Sequence, residues 1–407
     1  MSDLSIVVQK YGGTSVASAE KIKNVAARIK TYVERQKKVV VVVSAMGKTT
    51  DQLVNLASEI TSYPSPREMD MLLSTGEQVT ISLLAMALHD LGIKAISYTG
   101  FQIKVLTDGH YSNGKIESIA TEKITKSLQN HEVIVIAGFQ GIDCQEEIIT
   151  LGRGGSDTSA VALAVSLGTR DCEIYTDVEG VYTADPNVIT NPKKLKEISY
   201  EEMLELARLG AGVLHSRSVE LAKKNNIKLH IRSSFNYNEG TIVMPQEEMM
   251  EKFVISGITS KLDEAKITIR DIPDQPGIAA EIFSLLGKNK IYVNMIVQST
   301  GYDNRASISF TVLKKDLSQA LKLCEELKSS FKNFILDSKE KIAILSAVGV
   351  GMLSSYGIAG KIFKLLSDQK INIEMISTSE VGISCVIDEK DLEIGLQIIH
   401  QEFLENE

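Results

Sequence analysis

The chain has 407 residues, 43% of them hydrophobic and 24% charged, with a net charge of −8. That length suggests two to three domains with a real core, and the acidic balance excludes a bulk field that would draw in nucleic acid or anionic membrane. The longest apolar run, residues 39–43, is too short to span a bilayer, and Met1-Ser2-Asp3 does not open a signal peptide. Four cysteines without a C-x-x-C pair (Cys144, Cys172, Cys324, Cys385) lie in or beside apolar stretches, and read as reduced core thiols of a cytoplasmic protein.

Along roughly the first 245 residues, short apolar runs alternate with longer amphipathic ones. Strands are expected over 6–9, 38–44, 95–98, 133–137, 173–176 and 228–232, and helices over 19–34, 78–89, 156–167 and 201–209. This alternation predicts an α/β fold, a largely parallel sheet covered on both faces by helices. Ser199 and Glu202 have the spacing of a capping box, and Gly210 is placed to stop the helix they begin.

Several loops carry chemistry. Lys10-Tyr11-Gly12-Gly13-Thr14-Ser15 follows a strand and opens a helix. Its glycines let backbone N–H groups approach a phosphate, and Lys10 can neutralise a phosphoryl group in flight. Ser44-Ala45-Met46-Gly47-Lys48-Thr49-Thr50-Asp51 contains Gly-Lys-Thr, but Val42 stands where a P-loop needs its first glycine, so that motif is rejected. The hydroxyls of Thr49 and Thr50 remain as substrate contacts. Ser74-Thr75-Gly76-Glu77 reads either as a self-capping helix start or as a carboxylate for an ammonium group.

The sharpest signal is Leu151-Gly152-Arg153-Gly154-Gly155-Ser156-Asp157-Thr158. Glycines surround an arginine at a helix start, a setting that binds anions through N–H groups and a bidentate guanidinium. Asp157 is placed to hold Mg2+ or to orient Lys10. Tyr175-Thr176-Asp177-Val178-Glu179-Gly180-Val181-Tyr182 either lines a nucleotide pocket or forms a hairpin with a Glu-Gly turn.

After residues 246–262 the pattern changes and a repeat appears at an offset of 80 residues: Pro276–Phe283 recurs as Tyr356–Phe363, and Ile291–Ile296 as Ile371–Ile376. Each copy reads strand, glycine turn, helix, strand, strand, helix, the split βαβ order. The first copy closes on a strand near 333–337. The second lacks one, and the apolar segment 253–258 is expected to cross over and complete it.

Together Lys10–Ser15, Ser44–Asp51, Ser74–Glu77, Gly152–Asp157, Thr176–Pro186 and Val213-Leu214-His215 resemble the amino acid kinase family, and more narrowly its monofunctional aspartate kinases; the repeat is similar to their paired ferredoxin-like ACT domains. The resemblance covers essentially the whole chain. It implies a kinase domain over 1–245, a linker and crossing strand over 246–262, and ACT domains over 263–338 and 339–407. It implies ATP-dependent phosphorylation of the L-aspartate side chain with Mg2+, and no residue is assigned as a protein metal ligand. Lys10 and Asp157 would be catalytic. Ser44, Thr50, Glu77, Arg153 and Ser156 would bind aspartate, Arg153 at the α-carboxylate and Glu77 at the ammonium. Gly12, Gly13, Thr14, Ser15, Thr176, Asp177 and Tyr182 would meet the nucleotide. This chain has Gly212 where the family usually has Lys, Asn187 where it often has Arg, and Ser216 for a usual Pro; the resemblance then implies either that another cation such as Lys48 or Lys224 substitutes at the phosphates or that ATP binds more weakly.

The ACT pair implies an amino-acid effector, lysine first and threonine second, held by Asp274, Gly277, Ile278, Ala279, Asn294 and Gln298 in the first copy and by Met352, Ser379 and Glu380 in the second. It implies a homodimer or dimer of dimers through ACT domains, with no nucleic-acid or membrane partner. The alternatives are another carboxylate kinase of this fold, such as one for acetylglutamate, and an amino-acid sensor with a relic kinase lobe.

Overall fold

The computed structural model describes residues 5–249, 254–301, 304–327, 334–353 and 355–405. They form two compact units. The first runs to Val181, resumes over Lys194–Ala207 and resumes again from Gly212; the second takes Tyr182–Lys193, Arg208–Ala211 and the described residues from Val254 on.

The first unit is built on an eight-stranded sheet. Its strands are β1 (Ile6–Tyr11), β2 (Lys38–Val43), β3 (Ala95–Tyr98), β6 (Val133–Ala137), β9 (Asp171–Thr176), β10 (Glu197–Ser199), β11 (Lys228–Ser233) and β12 (Thr241–Met244), in the order β10-β12-β11-β9-β1-β2-β6-β3. The strands from β11 through β9, β1, β2 and β6 to β3 pair in parallel. β2 is buried almost throughout, as its unbroken valines require of a central parallel strand. A smaller sheet has the order β5-β4-β7-β8, from β4 (Val105–Thr107), β5 (Ile116–Ile119), β7 (Gln140–Ile142) and β8 (Ile148–Thr150). The helices are α1 (Ala19–Glu34), α2 (Thr49–Ile60), α3 (Pro66–Leu73), α4 (Thr75–Asp90), α5 (Glu122–Asn130), α6 (Gly155–Ser166), α7 (Tyr200–Arg208) and α8 (Ser216–Asn225).

One core joins Val25 and Ile29 of α1, Val39, Val41 and Val43 of β2, Ile81, Leu84 and Leu88 of α4, and Val133 and Val135 of β6. α3 and α4 together span Pro66–Asp90, long and apolar enough by composition to pass for a membrane helix. Ile81, Leu84 and Leu88 are buried in that core, whereas Val79, Leu83 and Met86 on α4 are exposed. The Ser199–Glu202 capping box is formed: Glu202 Oε2 accepts the Ser199 N–H at 3.1 Å, and Ser199 Oγ accepts the Glu202 N–H at 3.2 Å. Gly210 follows α7 with φ 115°.

The second unit contains the repeat. The first copy is β14 (Glu264–Pro273), α9 (Ile278–Lys288), β15 (Val293–Thr300), β16 (Arg305–Leu313), α10 (Leu317–Glu326) and β17 (Ile335–Lys339), in sheet order β15-β16-β14-β17. The second is β18 (Ile342–Val348), α11 (Ile358–Asp368), β19 (Met375–Thr378), β20 (Gly382–Asp388) and α12 (Leu392–His400). Its sheet is completed by β13 (Gly257–Lys261), which lies antiparallel to β18. The crossover expected from the sequence is therefore present, but displaced. Pairing begins with the Ser256 N–H to Val348 O at 2.8 Å and continues to Lys261, and Phe253 lies outside the described residues. β17 also starts later than expected, at Ile335, and Asn333 is outside the described residues. Gly277 and Gly357 cap α9 and α11 with φ 102° and 85°, so the repeat is conformational as well as sequential.

Two expectations need correction. Cys144 is exposed in the turn between β7 and β8, so only Cys172, Cys324 and Cys385 are core thiols. The Glu-Gly hairpin reading fails as well, because β9 runs between β1 and β11 in parallel pairing, and the Val181 N–H goes instead to Thr241 Oγ1 at 2.9 Å.

Candidate active site

β1 and β9 are neighbours whose onward connections lead to opposite sides of the sheet. Such a switch point opens a crevice at the carboxyl ends of parallel strands. A cleft of roughly 580 Å³ lies at the carboxyl ends of β1, β2 and β6, and its walls include Lys10, Ser44, Phe139, Thr50, Glu77, Arg153, Ser156 and Asp157. Segments as far apart in sequence as those of Lys10, Ser44, Glu77 and Asp157 thus meet at one place.

Lys10 sits at the end of β1 with its Nζ 2.5 Å from Asp157 Oδ1. Both side chains are nearly closed to solvent, so the pair is held more firmly than a surface ion pair. Asp157 lies in the first turn of α6. The turn before it is left-handed at Gly152 (φ 73°) and Gly154 (φ 69°), and a Cβ on Gly154 would fall 2.3 Å from His215 Cβ. Those two glycines are required, one for the reversal and one for the approach of His215. The exposed Arg153 between them is carried to the rim.

Glu77 lies in the first turn of α4 and is 3% exposed. The capping-box reading of Ser74–Glu77 is not realised, because Ser74 makes no side-chain cap and its hydroxyl donates to Met71 O. Glu77 Oε1 instead accepts the Ala45 N–H at 3.0 Å, while Oε2 is buried with no partner among the described residues. Burial pushes the carboxyl up to about 7, opposed only in part by the Ala45 N–H. A buried carboxylate with an unsatisfied oxygen in a cleft is a receptor for a cation.

The remaining sequence candidates fall elsewhere. Gly12 precedes, and Gly13, Thr14 and Ser15 lie within, a single 3₁₀ turn over Gly13–Val16; α1 starts later, capped by Ser18, so these glycines do not stand at its N-terminus. The Gly12 N–H donates to Tyr175 O, tying β1 to β9, and the buried Ser15 hydroxyl has no partner among the described residues. Thr176 ends β9 and its Oγ1 donates to the exposed Asp177. Tyr182 belongs to the second unit. Lys48 and Lys224 are exposed at the start of α2 and in the last turn of α8, outside the cleft lining. Among the described residues no three or more His, Cys, Asp or Glu side chains form a metal site.

The effector candidates are dispersed. Asp274, Gly277 and Gln298 are exposed, with Ile278 and Ala279 opening α9. Asn294 donates its amide to Glu264 at 2.6 Å and is taken up inside its own sheet. Met352 packs on the core of the second copy, and Ser379 and Glu380 form the β19–β20 turn.

Sequence reasoning missed two residues behind the cleft. Asp70 of α3 is fully buried and accepts hydrogen bonds from Ser112 and Thr150. Arg217 of α8 donates to Leu151 O at 2.8 Å and to Gly114 O. The one sequence signal for either was an acid inside an apolar helix at Asp70.

Residues 5–233 match the model of the amino acid kinase family, and residues 262–327 and 345–403 match that of an ACT domain. The aspartokinase of Bacillus sp. (strain MGA3) is 46% identical over 400 residues, 98% of this chain and 97% of that protein. The aspartokinase of Helicobacter pylori (strain J99) is 47% identical over 404 residues, 97% and 98% of the two chains. Among solved structures, aspartate kinase from Synechocystis is 42% identical with a TM-score of 0.55, covering 98% of this chain and 69% of that one. E. coli aspartokinase III in complex with aspartate and ADP shares the fold at a TM-score of 0.81 and 24% identity, over 97% and 99% of the two chains.

Proposed function

This chain belongs to the amino acid kinase family, among its ACT-bearing aspartate kinases, and from that membership we propose that its cleft transfers the γ-phosphoryl group of ATP to the side-chain carboxylate of L-aspartate, the first step of the aspartate-family amino acid pathway. The observation that carries this reading is the convergence of Lys10, Asp157, Arg153 and Glu77, with Ser44, Thr50 and Ser156, on one cleft.

A substrate carboxylate oxygen attacks the γ-phosphorus as the bond to the ADP oxygen breaks. Because that carboxylate is ionised at neutral pH, no general base is needed, and catalysis is positioning plus charge neutralisation. Lys10 meets the equatorial charge of the transferring group, and Asp157, 2.5 Å away, fixes its ammonium. Arg153 takes the α-carboxylate and Glu77 the α-ammonium; the empty Oε2 of Glu77 supports that role. Ser44, Thr50 and Ser156 hydrogen-bond the substrate. Gly12, Gly13, Thr14 and Ser15, with Thr176 and Asp177, hold the nucleotide. Asp157 would help hold a Mg2+ ion entering with the phosphates, a hard ion that takes oxygen ligands, and the ion would neutralise charge there.

In this reading the ACT repeat binds an end-product amino acid. Lysine is favoured, supported by the E. coli aspartokinase III structure solved with lysine and aspartate, which shares this fold at a TM-score of 0.78; threonine is the alternative. The effector contacts are those opening α9 and flanking the β19–β20 turn. The assembly is a homodimer or dimer of dimers through the ACT sheets, and the compartment is the cytoplasm. The test is hydroxylamine capture of aspartyl phosphate with ATP and Mg2+, in the presence and absence of lysine and threonine. Turnover that needs L-aspartate and is lost in Lys10→Ala supports the reading. Turnover that is equal with an N-acylated acid overturns the ammonium role of Glu77.

A further inference from the structure

One carboxylate beside the cleft has no part in the chemistry above. Asp70, on α3, has no exposed surface. Its Oδ1 accepts the hydroxyls of Ser112 at 3.1 Å and Thr150 at 2.7 Å, and its Oδ2 accepts the N–H groups of the same two residues, each at 2.8 Å. A carboxylate removed from water persists only where such donors replace its hydration. Here they come from two residues that both line the cleft.

Those residues belong to segments far apart in sequence. Ser112 sits in the turn between β4 and β5 with φ 63°, a strained conformation for a serine. Thr150 ends β8 and leads directly into Leu151-Gly152-Arg153. The two segments are joined twice more: the Gly114 N–H donates to Thr150 O at 2.9 Å, and Arg217 bridges Leu151 O and Gly114 O. They also touch, since a Cβ on Gly152 would lie 3.0 Å from Ser112 O.

We propose that Asp70 is a positioning residue for the amino-acid substrate. Acting through Ser112 and Thr150, it clamps the β4–β5 turn to the end of β8 and so sets where the Arg153 loop stands relative to Glu77. This rests on the cleft being the aspartate site.

The test is steady-state kinetics of the full chain carrying Asp70→Asn. The amide keeps the size of the carboxylate but turns a donor toward donors. The expected result is an L-aspartate KM raised tenfold or more, an ATP KM within twofold of wild type, and a smaller change in kcat. A residue that only stabilises the fold would lower the melting temperature and the active fraction with the aspartate KM unchanged, and that outcome overturns the proposal. If Asp70→Asn does not fold, Thr150→Val removes a single hydroxyl donor and should still raise the aspartate KM, while Thr150→Ser keeps that donor and should match wild type. Equal KM values for Val and Ser at 150 likewise overturn it. Wild-type enzyme without aspartate-dependent turnover would instead defeat the reading of the cleft, so the two failures are distinct.

Discussion

Glu77 has a carboxyl near neutrality, and the sign of its pH dependence follows. Its folded value, about 7, lies above the ordinary 4.5, so between those values the folded chain binds more protons than the unfolded one. Stability from this group is therefore full at low pH and is lost as pH rises through about 7. An arriving ammonium reverses the balance by favouring the carboxylate. At pH 7 aspartate binding should release about half a proton from Glu77, read as a buffer-dependent enthalpy in calorimetry. The aspartate KM should fall as pH rises through 7, and Glu77→Gln should flatten that limb; a limb that persists in the variant assigns it to another group. Gly212 makes a second residue-scale case. Among the described residues nothing lies within 4 Å of where its Cβ would be, so Gly212→Lys has room, and it should lower the ATP KM severalfold if a phosphate cation is what the position lacks. Lys10, Arg153 and Asp157 were legible because each sits inside a glycine-marked loop at a strand or helix end. Asp70 and Arg217 were not, because their partners lie tens of residues away and only folding brings them together.

At the level of elements, β2 and β6 were readable because they are buried on both faces and show as valine and isoleucine runs, and α1 because its apolar stripe is regular and Ser18 caps it, whereas β10 and β12 of the same sheet went unread. The short strands of the smaller sheet escaped, since three residues such as Val105–Thr107 carry no period. The β17 and β13 strands were placed early by a few residues, since apolar content marks a strand but hydrogen bonding sets its register. The entry to α6 is the element on which the site depends most. Gly154→Ala adds a methyl group where His215 Cβ already stands, at a φ that disfavours L side chains by roughly 1–2 kcal/mol. The expected outcome is a lower melting temperature together with at least a tenfold loss of kcat/KM for aspartate. A variant that melts lower but keeps kcat/KM would mean the loop reaches its geometry without that contact.

Across the whole molecule, the order of segments in sequence differs from their order in space. Residues Tyr182–Lys193 follow the β9 strand of the first unit, yet Ala184 and Ile189 are buried in the core of the second ACT copy. The Ile258 N–H donates to Thr183 O at 2.7 Å, and Thr183 Oγ1 is 2.9 Å from Nε2 of the fully buried His400. Nothing in the local composition of 182–193 announced this, because Ala and Ile look the same whichever core receives them. His400→Ala in the full chain removes one of the two partners of the Thr183 hydroxyl, which keeps only the Lys193 N–H; it should cost about 1 kcal/mol and should speed amide hydrogen exchange across 182–193. Unchanged exchange there would show that the segment is held by its apolar contacts alone.

The crossing of β13 has a consequence for ancestry and for engineering. The strand that closes the second ACT copy precedes the first copy in the chain, so no single breakpoint can lift one copy out whole. A recombinant joined near residue 250 keeps both copies intact but strands Ala184 and Ile189 with a foreign core, and one joined near 340 splits the second copy from its own edge. Regulatory modules of this kind should pass between lineages as matched pairs of fragments, and laboratory chimeras should succeed when residues 182–193 travel with the C-terminal half.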